Sequence, residues 1–240
     1  MFFSGETYMD ITFIKPQKPI ILKGLKRQLR YNKQLNLYKR LRTFNGINKL
    51  YYWLEYIKTP FNKKLNCLEI GSHEGQSAIF ILKNILLHNE SKLLCCDPFY
   101  KSHWNLIKKN AICYEDIFNF NMENNDKMKK IKKFIGLNSD LYKLDSFKKQ
   151  NFDIVYIDDI HTYESTNLNI LNCWSLINPG GYIIFDDYDA NYAFKEKYDK
   201  KGAKFWCDPV KKSVDEFLDR EKTAKVIFKE YQIIIKKNLN

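Results

Sequence analysis

From Leu65 onward, short apolar runs alternate with longer segments whose apolar residues recur every three or four positions. This rhythm predicts strands separated by helices. Strands are expected at 65–70, 92–96, 132–135, 152–157 and 182–186, with helices at 75–88, about 102–120, 139–148 and about 162–176 between them. Asn178-Pro179-Gly180-Gly181 reads as a turn leading into the last of these strands. Near the C-terminus a helix at 208–221 precedes two β-rich runs, 224–228 and 231–235, separated only by Lys229-Glu230. That connection is too short for a parallel crossover and predicts an antiparallel hairpin. The expected fold is α/β: a doubly wound, mostly parallel seven-stranded sheet, closed at one edge by the hairpin. Ligands of such sheets bind beyond the carboxyl ends of the strands.

Ahead of this region the pattern changes. Pro16 and Pro19 oppose a helix in residues 1–20, whereas Leu22, Leu25, Leu29, Leu35, Tyr38 and Leu41 follow helical spacing up to Asn45-Gly46. Residues 47–57 read as a further helix, ended by Pro60. Eleven basic and no acidic residues lie between Ile11 and Leu54, which leaves the rest of the chain nearly neutral although the whole carries +12. Four of the five arginines fall in that stretch, so a Lys- and Asn-rich composition does not by itself explain it. It reads as a surface for an anionic partner or as the solvated face of basic N-terminal helices. The expected organisation is a basic helical extension, 1–45, and one α/β domain, 46–240.

Composition excludes several classes. With 45% hydrophobic and 15% aromatic residues the chain is not a disordered one. It has no apolar run long enough for a membrane span and no signal-peptide pattern, so a cytoplasmic location is expected. The six cysteines show no C-x-x-C spacing and read as buried thiols of a reducing compartment.

The chemistry begins at Cys67-Leu68-Glu69-Ile70-Gly71-Ser72-His73-Glu74-Gly75, an apolar strand running into Glu-x-Gly-x-x-x-Gly and then a helix. Glycines let the backbone turn tightly against a ligand, and a helix start offers N–H groups. Ser72 and His73 stand where a dinucleotide fingerprint needs further glycines, and the acid before the first glycine suits a cationic or amine-bearing ligand better than a pyrophosphate. Acidic residues end three more strands: Asp97, Asp158-Asp159 and Asp186-Asp187. Asp97 is suited to accept from both hydroxyls of a ribose, its alternative being an Asp-Pro turn. Asp158, Asp186 and Asp187 would repel one another unless a hard divalent cation sat between them, although Asp159 or Asp187 could instead cap a loop.

Together LEIGSHEGQSA, CCDPF, FDIVYIDDIHTYES, LINPGGYIIFDDYD and PVKKSVDEFL resemble the class I S-adenosylmethionine-dependent O-methyltransferases, in the branch of the macrocin-type sugar enzymes with catechol O-methyltransferase more distant. The resemblance covers about residues 46–236 and implies a Rossmann-like fold. It implies that Glu69, Gly71, His73, Gly75 and Ser77 shape the methionine end of an S-adenosylmethionine pocket, that Asp97 binds ribose, and that Ser139 lies at the adenine. It implies Asp158, Asp186 and Asp187 as ligands of Mg²⁺ or another divalent cation, Asp158 bordering the cofactor as well. His161 corresponds to a basic position of catechol O-methyltransferase and is expected to act with Asp158 in deprotonating the acceptor. Where the family has Asp-Gly-Asp-His, this chain has Asp158-Asp159-Ile160-His161, leaving the register between Asp158 and Asp159 open. The acceptor implied is a small-molecule hydroxyl, with sugars and nucleotide sugars among the candidates, its pocket lined from 1–60 and 189–208. A nucleic-acid methyltransferase using the basic segment is the alternative, and a non-catalytic binding subunit a third reading. A homodimer is a further expectation.

Overall fold

The computed structural model describes residues 47–99, 114–126, 129–192 and 200–238. The expected basic extension, 1–45, lies outside the described residues, as does the first part of the helix expected from 102.

Seven strands form one sheet: β1 (Asn66–Ile70), β2 (Lys92–Asp97), β3 (Ile131–Ile135), β4 (Phe152–Ile157), β5 (Ile177–Phe185), β6 (Ala224–Lys229) and β7 (Ile233–Lys237). Their order is β3-β2-β1-β4-β5-β7-β6. β1 to β5 run parallel, and β7 pairs antiparallel with both β5 and β6. The order reverses between β1 and β4, which opens a crevice at their carboxyl ends.

The helices are α1 (Ile47–Tyr56), α2 (Gln76–Asn84), α3 (Tyr114–Asn125), the short α4 (Asn138–Leu141) and α5 (Asp145–Lys148), α6 (Tyr163–Cys173) and α7 (Lys200–Arg220). Strand side chains alternate between the two faces of the sheet. Cys67, Cys95, Ile154, Tyr156 and Ile184 join one buried cluster with Trp53 of α1 and Phe80 of α2. Leu68, Ile70, Val155, Ile157 and Phe185 join the other, with Trp174 and with Phe217 of α7. A sheet covered on both faces explains why its central strands read as continuous apolar runs.

Several boundaries differ from the sequence pattern, each for a local reason. Asn178-Pro179-Gly180-Gly181 is not a separate turn but a bulge inside β5, where Phe152 faces Ile177 and Ile154 already faces Tyr182. α7 begins well ahead of 208 and carries Pro209 inside it, which leaves no N–H there for the carbonyl one turn back, that of Phe205. α3 continues to Asn125 because a polar residue, Asn121, is itself buried and donates to the Glu74 carbonyl at 2.6 Å. β7 starts two residues later than expected because Tyr231 and Gln232 make the hairpin turn, the Gln232 side chain accepting from Trp53 Nε1 at 2.9 Å.

Candidate active site

β1 ends beneath a tight loop. Gly71 has φ +88, its N–H donates to the Cys96 carbonyl at 2.8 Å, and a Cβ there would lie 1.8 Å from the backbone oxygen of Asp158. The glycine loop is thus seated directly on the end of β4, and no other residue fits. Gly75, with φ +83, gives the loop its exit into α2, where a Cβ would press on Met122 at 2.7 Å. Between them lies a cradle of backbone at the start of a helix.

Asp97 braces that cradle. Its Oδ2 accepts from His73 N at 2.8 Å and its Oδ1 from Phe99 N at 2.6 Å. His73 and Phe99 both have left-handed φ, +45 and +49, so one carboxylate holds two strained turns. The Asp-Pro turn is therefore present, and each carboxylate oxygen retains a second lone pair for a hydroxyl. The His73 ring lies 4.1 Å from that of Tyr114, and burial lowers its pKa against the opposing pull of Asp97 and Asp158. Glu69 is fully buried beneath the loop; its Oε2 meets Cys95 Sγ at 3.4 Å, while Oε1 has no partner among the described residues. Burial pushes its pKa up to about 7, with Ser77, Ser72 and Cys95 drawing it partly back. The Gly136 N–H donates to the Asp97 carbonyl at 3.1 Å, which ties the loop bearing Ser139 to the same end of the sheet.

The adjacent acids of β4 and β5 take different tasks. Asp159 is drawn into a polar network, accepting from Asn138 at 2.7 Å, from Asn169 at 3.2 Å and from the Ser165 hydroxyl. Asp158 instead faces His161, with Nε2 and Oδ1 3.4 Å apart. Asp187 meets the same imidazole, its Oδ2 2.6 Å from Nε2. Donor atoms of Asp158, His161 and Asp187 all lie within 4.8 Å of one another. Asp186, expected beside them, is 2% exposed and accepts from the Tyr156 hydroxyl at 2.6 Å and the Asp187 N–H at 2.9 Å. Strand alternation puts Asp186 on the face of Ile184, Tyr156 and Asp158, while Asp187, at φ +52, bends out of the strand.

Burial alone would lower the His161 pKa, but the carboxylates of Asp158 and Asp187 outweigh it and push it up to about 10. The two carboxylates thus favour the protonated imidazole. His161 has φ +53, so both His161 and Asp187 occupy a conformation uncommon outside glycine. A pocket of about 570 Å³ opens beside them, walled by Ile160, Tyr163, Phe205, Pro209 and Tyr231. Among the described residues only Phe205 comes from the two segments expected to line it, because the loop after β4 and the hairpin turn reach the same mouth. Tyr156 was not singled out by the sequence pattern, in which a tyrosine within a strand reads as a β-former. Its position two residues before Asp158 puts both on one face and is the signal that finds it, and its hydroxyl lies 3.2 Å from Asp158 Oδ2 as well.

A family model described as a methyltransferase domain matches residues 68–188, from the glycine loop through the Asp186-Asp187 pair. The chain belongs to the class I S-adenosylmethionine-dependent methyltransferases. Solved methyltransferases share the fold at low identity. An O-methyltransferase from Bacillus cereus, solved with S-adenosylhomocysteine, is 16% identical with a TM-score of 0.57 over 90% of this chain and 94% of that one. The O-methyltransferase TomG of Streptomyces achromogenes, involved in tomaymycin synthesis and solved with S-adenosylmethionine, is 14% identical with a TM-score of 0.56 over 92% and 93%. An uncharacterized protein of Acanthamoeba polyphaga mimivirus is 27% identical over 140 residues, 58% of each chain. The match thus spans little more than half the length of that curated relative. Among the described residues no helix of this methyltransferase is long and apolar enough to cross a membrane.

Proposed function

We propose that this methyltransferase transfers the methyl group of S-adenosylmethionine to a hydroxyl oxygen of a small molecule, with a divalent cation at the carboxylate cluster. One observation carries the reading: Asp158, His161 and Asp187 converge at the mouth of a pocket while the loop of Gly71 rests on Asp158 itself. Cofactor loop and acidic cluster are thereby held in fixed relation, as an in-line displacement requires.

The residues fit both groups. The glycine cradle has room only for backbone, and the buried Glu69 Oε1 lacks a partner that an amine could supply. S-adenosylmethionine brings a methyl on a sulfonium, and Asp97 offers lone pairs to its ribose hydroxyls. Glu69 balances the amino group, and Ser77 and Ser139 border the carboxylate and adenine ends. Asp158 and Asp187 would hold a divalent cation, which would supply Lewis-acid activation of the acceptor hydroxyl. Asp158 orients the acceptor oxygen toward the cofactor and takes its proton as the oxygen–methyl bond forms and the sulfur–methyl bond breaks, while the aromatic walls of Tyr163, Phe205 and Tyr231 stack against the acceptor body. Phenols and nucleobases present a flat face, and sugars an apolar C–H face, suited to such walls.

Purified protein incubated with labelled S-adenosylmethionine and a panel of sugars, nucleotide sugars and phenols, with Mg²⁺ or Mn²⁺ and with chelator, tests this. Cation-dependent label in a hydroxylated small molecule is the expected result. Full turnover in chelator would remove the cation from the reading.

The eleven basic residues between Ile11 and Leu54 support a second reading, methyl transfer to nucleic acid. It requires salt-sensitive RNA binding that is lost when Lys26, Arg27, Arg30 and Lys33 are replaced by Gln, together with label incorporated into RNA.

A further inference from the structure

We propose that Asp159 is a positioning residue of the cofactor site, its carboxylate pinning the segment that bears Ser139 to the loop of Asp158. The adenine end of the site and the carboxylate that meets the acceptor are thereby set together. The inference rests on the reading that S-adenosylmethionine occupies this crevice with its adenine at Ser139.

The Asp159 carboxylate sits where three elements meet. Its Oδ2 accepts from Asn138 Nδ2 at 2.7 Å, at the start of α4, and from Asn169 Nδ2 at 3.2 Å and the Ser165 hydroxyl, both in α6. The backbone of the same stretch carries the glycine loop: a Cβ on Gly71 would lie 1.8 Å from the Asp158 carbonyl oxygen and 3.4 Å from the Asp159 nitrogen. Asp159 thus meets the methionine end through its backbone and the adenine end through its side chain.

A carboxylate only accepts, and this fixes the direction of each bond around it. Asn138 turns its amide nitrogen to Asp159, so its Oδ1 is left to accept from Ser139 N at 2.9 Å. Asn169, fully buried, likewise gives its nitrogen to Asp159 and keeps its Oδ1 for Asn138 at 2.7 Å and for the Tyr142 hydroxyl at 2.6 Å. The charge therefore orients the backbone at Ser139 through a single intervening side chain. Starting α6 is a different task and is already filled: Thr162 accepts from Ser165 N at 3.2 Å, whereas Asp159 receives that residue's hydroxyl and not its N–H.

Calorimetry with S-adenosylhomocysteine across a double-mutant cycle reads the coupling. Ser139→Ala should weaken binding by about fivefold and Asp159→Ala by about tenfold, while the double variant should lose no more than about tenfold, because each change releases the same contact. A loss in the double variant equal to the product of the two, about fiftyfold, would show that Asp159 does not act through Ser139 and would overturn the inference. So would wild-type affinity in Asp159→Ala. Wild-type affinity in Ser139→Ala removes that residue from the adenine end, and the inference falls with that reading, whereas a wild-type protein that binds no S-adenosylhomocysteine removes the cofactor reading itself. Hydrogen exchange of the wild-type protein decides the question if a variant fails to fold. S-adenosylhomocysteine should slow exchange by about threefold or more both at 138–142 and at 165–170, which stands outside the glycine cradle. Protection confined to 138–142 would overturn the coupling.

Discussion

The two sides of the crevice are built on different principles. At the ends of β1 and β2 the ligand-facing surface is mostly backbone: a loop that only glycine permits at Gly71, pinned by a single carboxylate, Asp97, that is half occupied with holding its own walls. At the ends of β4 and β5 the surface is side chain, and neighbouring acids of identical chemistry divide the work. Asp158 and Asp187 meet His161, Asp159 joins the network of Asn138 and Asn169, and Asp186 shares the Tyr156 hydroxyl with Asp158. A backbone-built site tolerates few sequences and is therefore easy to recognise. A side-chain site depends on which way each residue turns, and that is set by left-handed φ at His161 and Asp187.

The contact that joins the two sides should be the most sensitive point. Gly71→Ala places a methyl against the Asp158 carbonyl, and an expected loss of about 3 kcal/mol or more in stability should accompany loss of S-adenosylmethionine binding. An unchanged melting temperature and affinity would show that the sides are independent.

The next effect separates them. Asp187→Asn should lower turnover by roughly 100-fold while cofactor affinity changes less than about threefold, because the carboxylate touches the cluster and not the glycine cradle. Turnover and calorimetry on the same preparation check this, and a parallel loss of both would merge the two sides. Asp97→Ala should do the converse, weakening S-adenosylmethionine by about tenfold and costing on the order of 1–2 kcal/mol as two backbone N–H groups lose their acceptor. Affinity unchanged in this variant would leave Asp97 a turn residue only.

The smallest effect is on pH dependence. Glu69, whose folded pKa of about 7 lies above its ordinary 4.5, binds its proton more tightly folded than unfolded, so its contribution is present below 4.5 and lost as pH rises through 7. Between pH 6 and 8 this amounts to about 1 kcal/mol of stability in the free protein, and Glu69→Gln should flatten the slope. His161 is raised from 6.5 to about 10, so its contribution is present below 6.5 and disappears only as pH climbs through 10. Melting curves across pH should thus show two windows, one for each side. A slope unchanged by Glu69→Gln would remove that carboxyl from the first.

The sequence pattern was sufficient for the sheet, because strands buried on both faces and bounded by glycine, proline or acid leave a strong periodic signal. It was weaker where a polar residue is buried or a proline tolerated, as at Asn121 in α3 and Pro209 in α7. Acidic residues at the strand ends were equally visible. Their division of labour was not, since Asp158 and Asp159, or Asp186 and Asp187, differ only in backbone direction and in partners distant in the chain, such as Asn138, Asn169 and Tyr156. The pocket walls drew on Tyr231 and the loop after β4, whose approach to Phe205 is set by tertiary packing alone.

The hydrogen bond from Trp53 to Gln232 spans 179 positions, and β7 inserts between β5 and β6. For a protein made from its N-terminus, this delays those contacts until β7 has been made. Until Ile233–Lys237 has emerged from the ribosome, β5 presents an apolar edge with open hydrogen-bonding groups, and Trp53 waits without its partner. Assembly must therefore be late and rich in long-range contacts, hence slow, and the half-made chain is the form in which this methyltransferase is most exposed to aggregation.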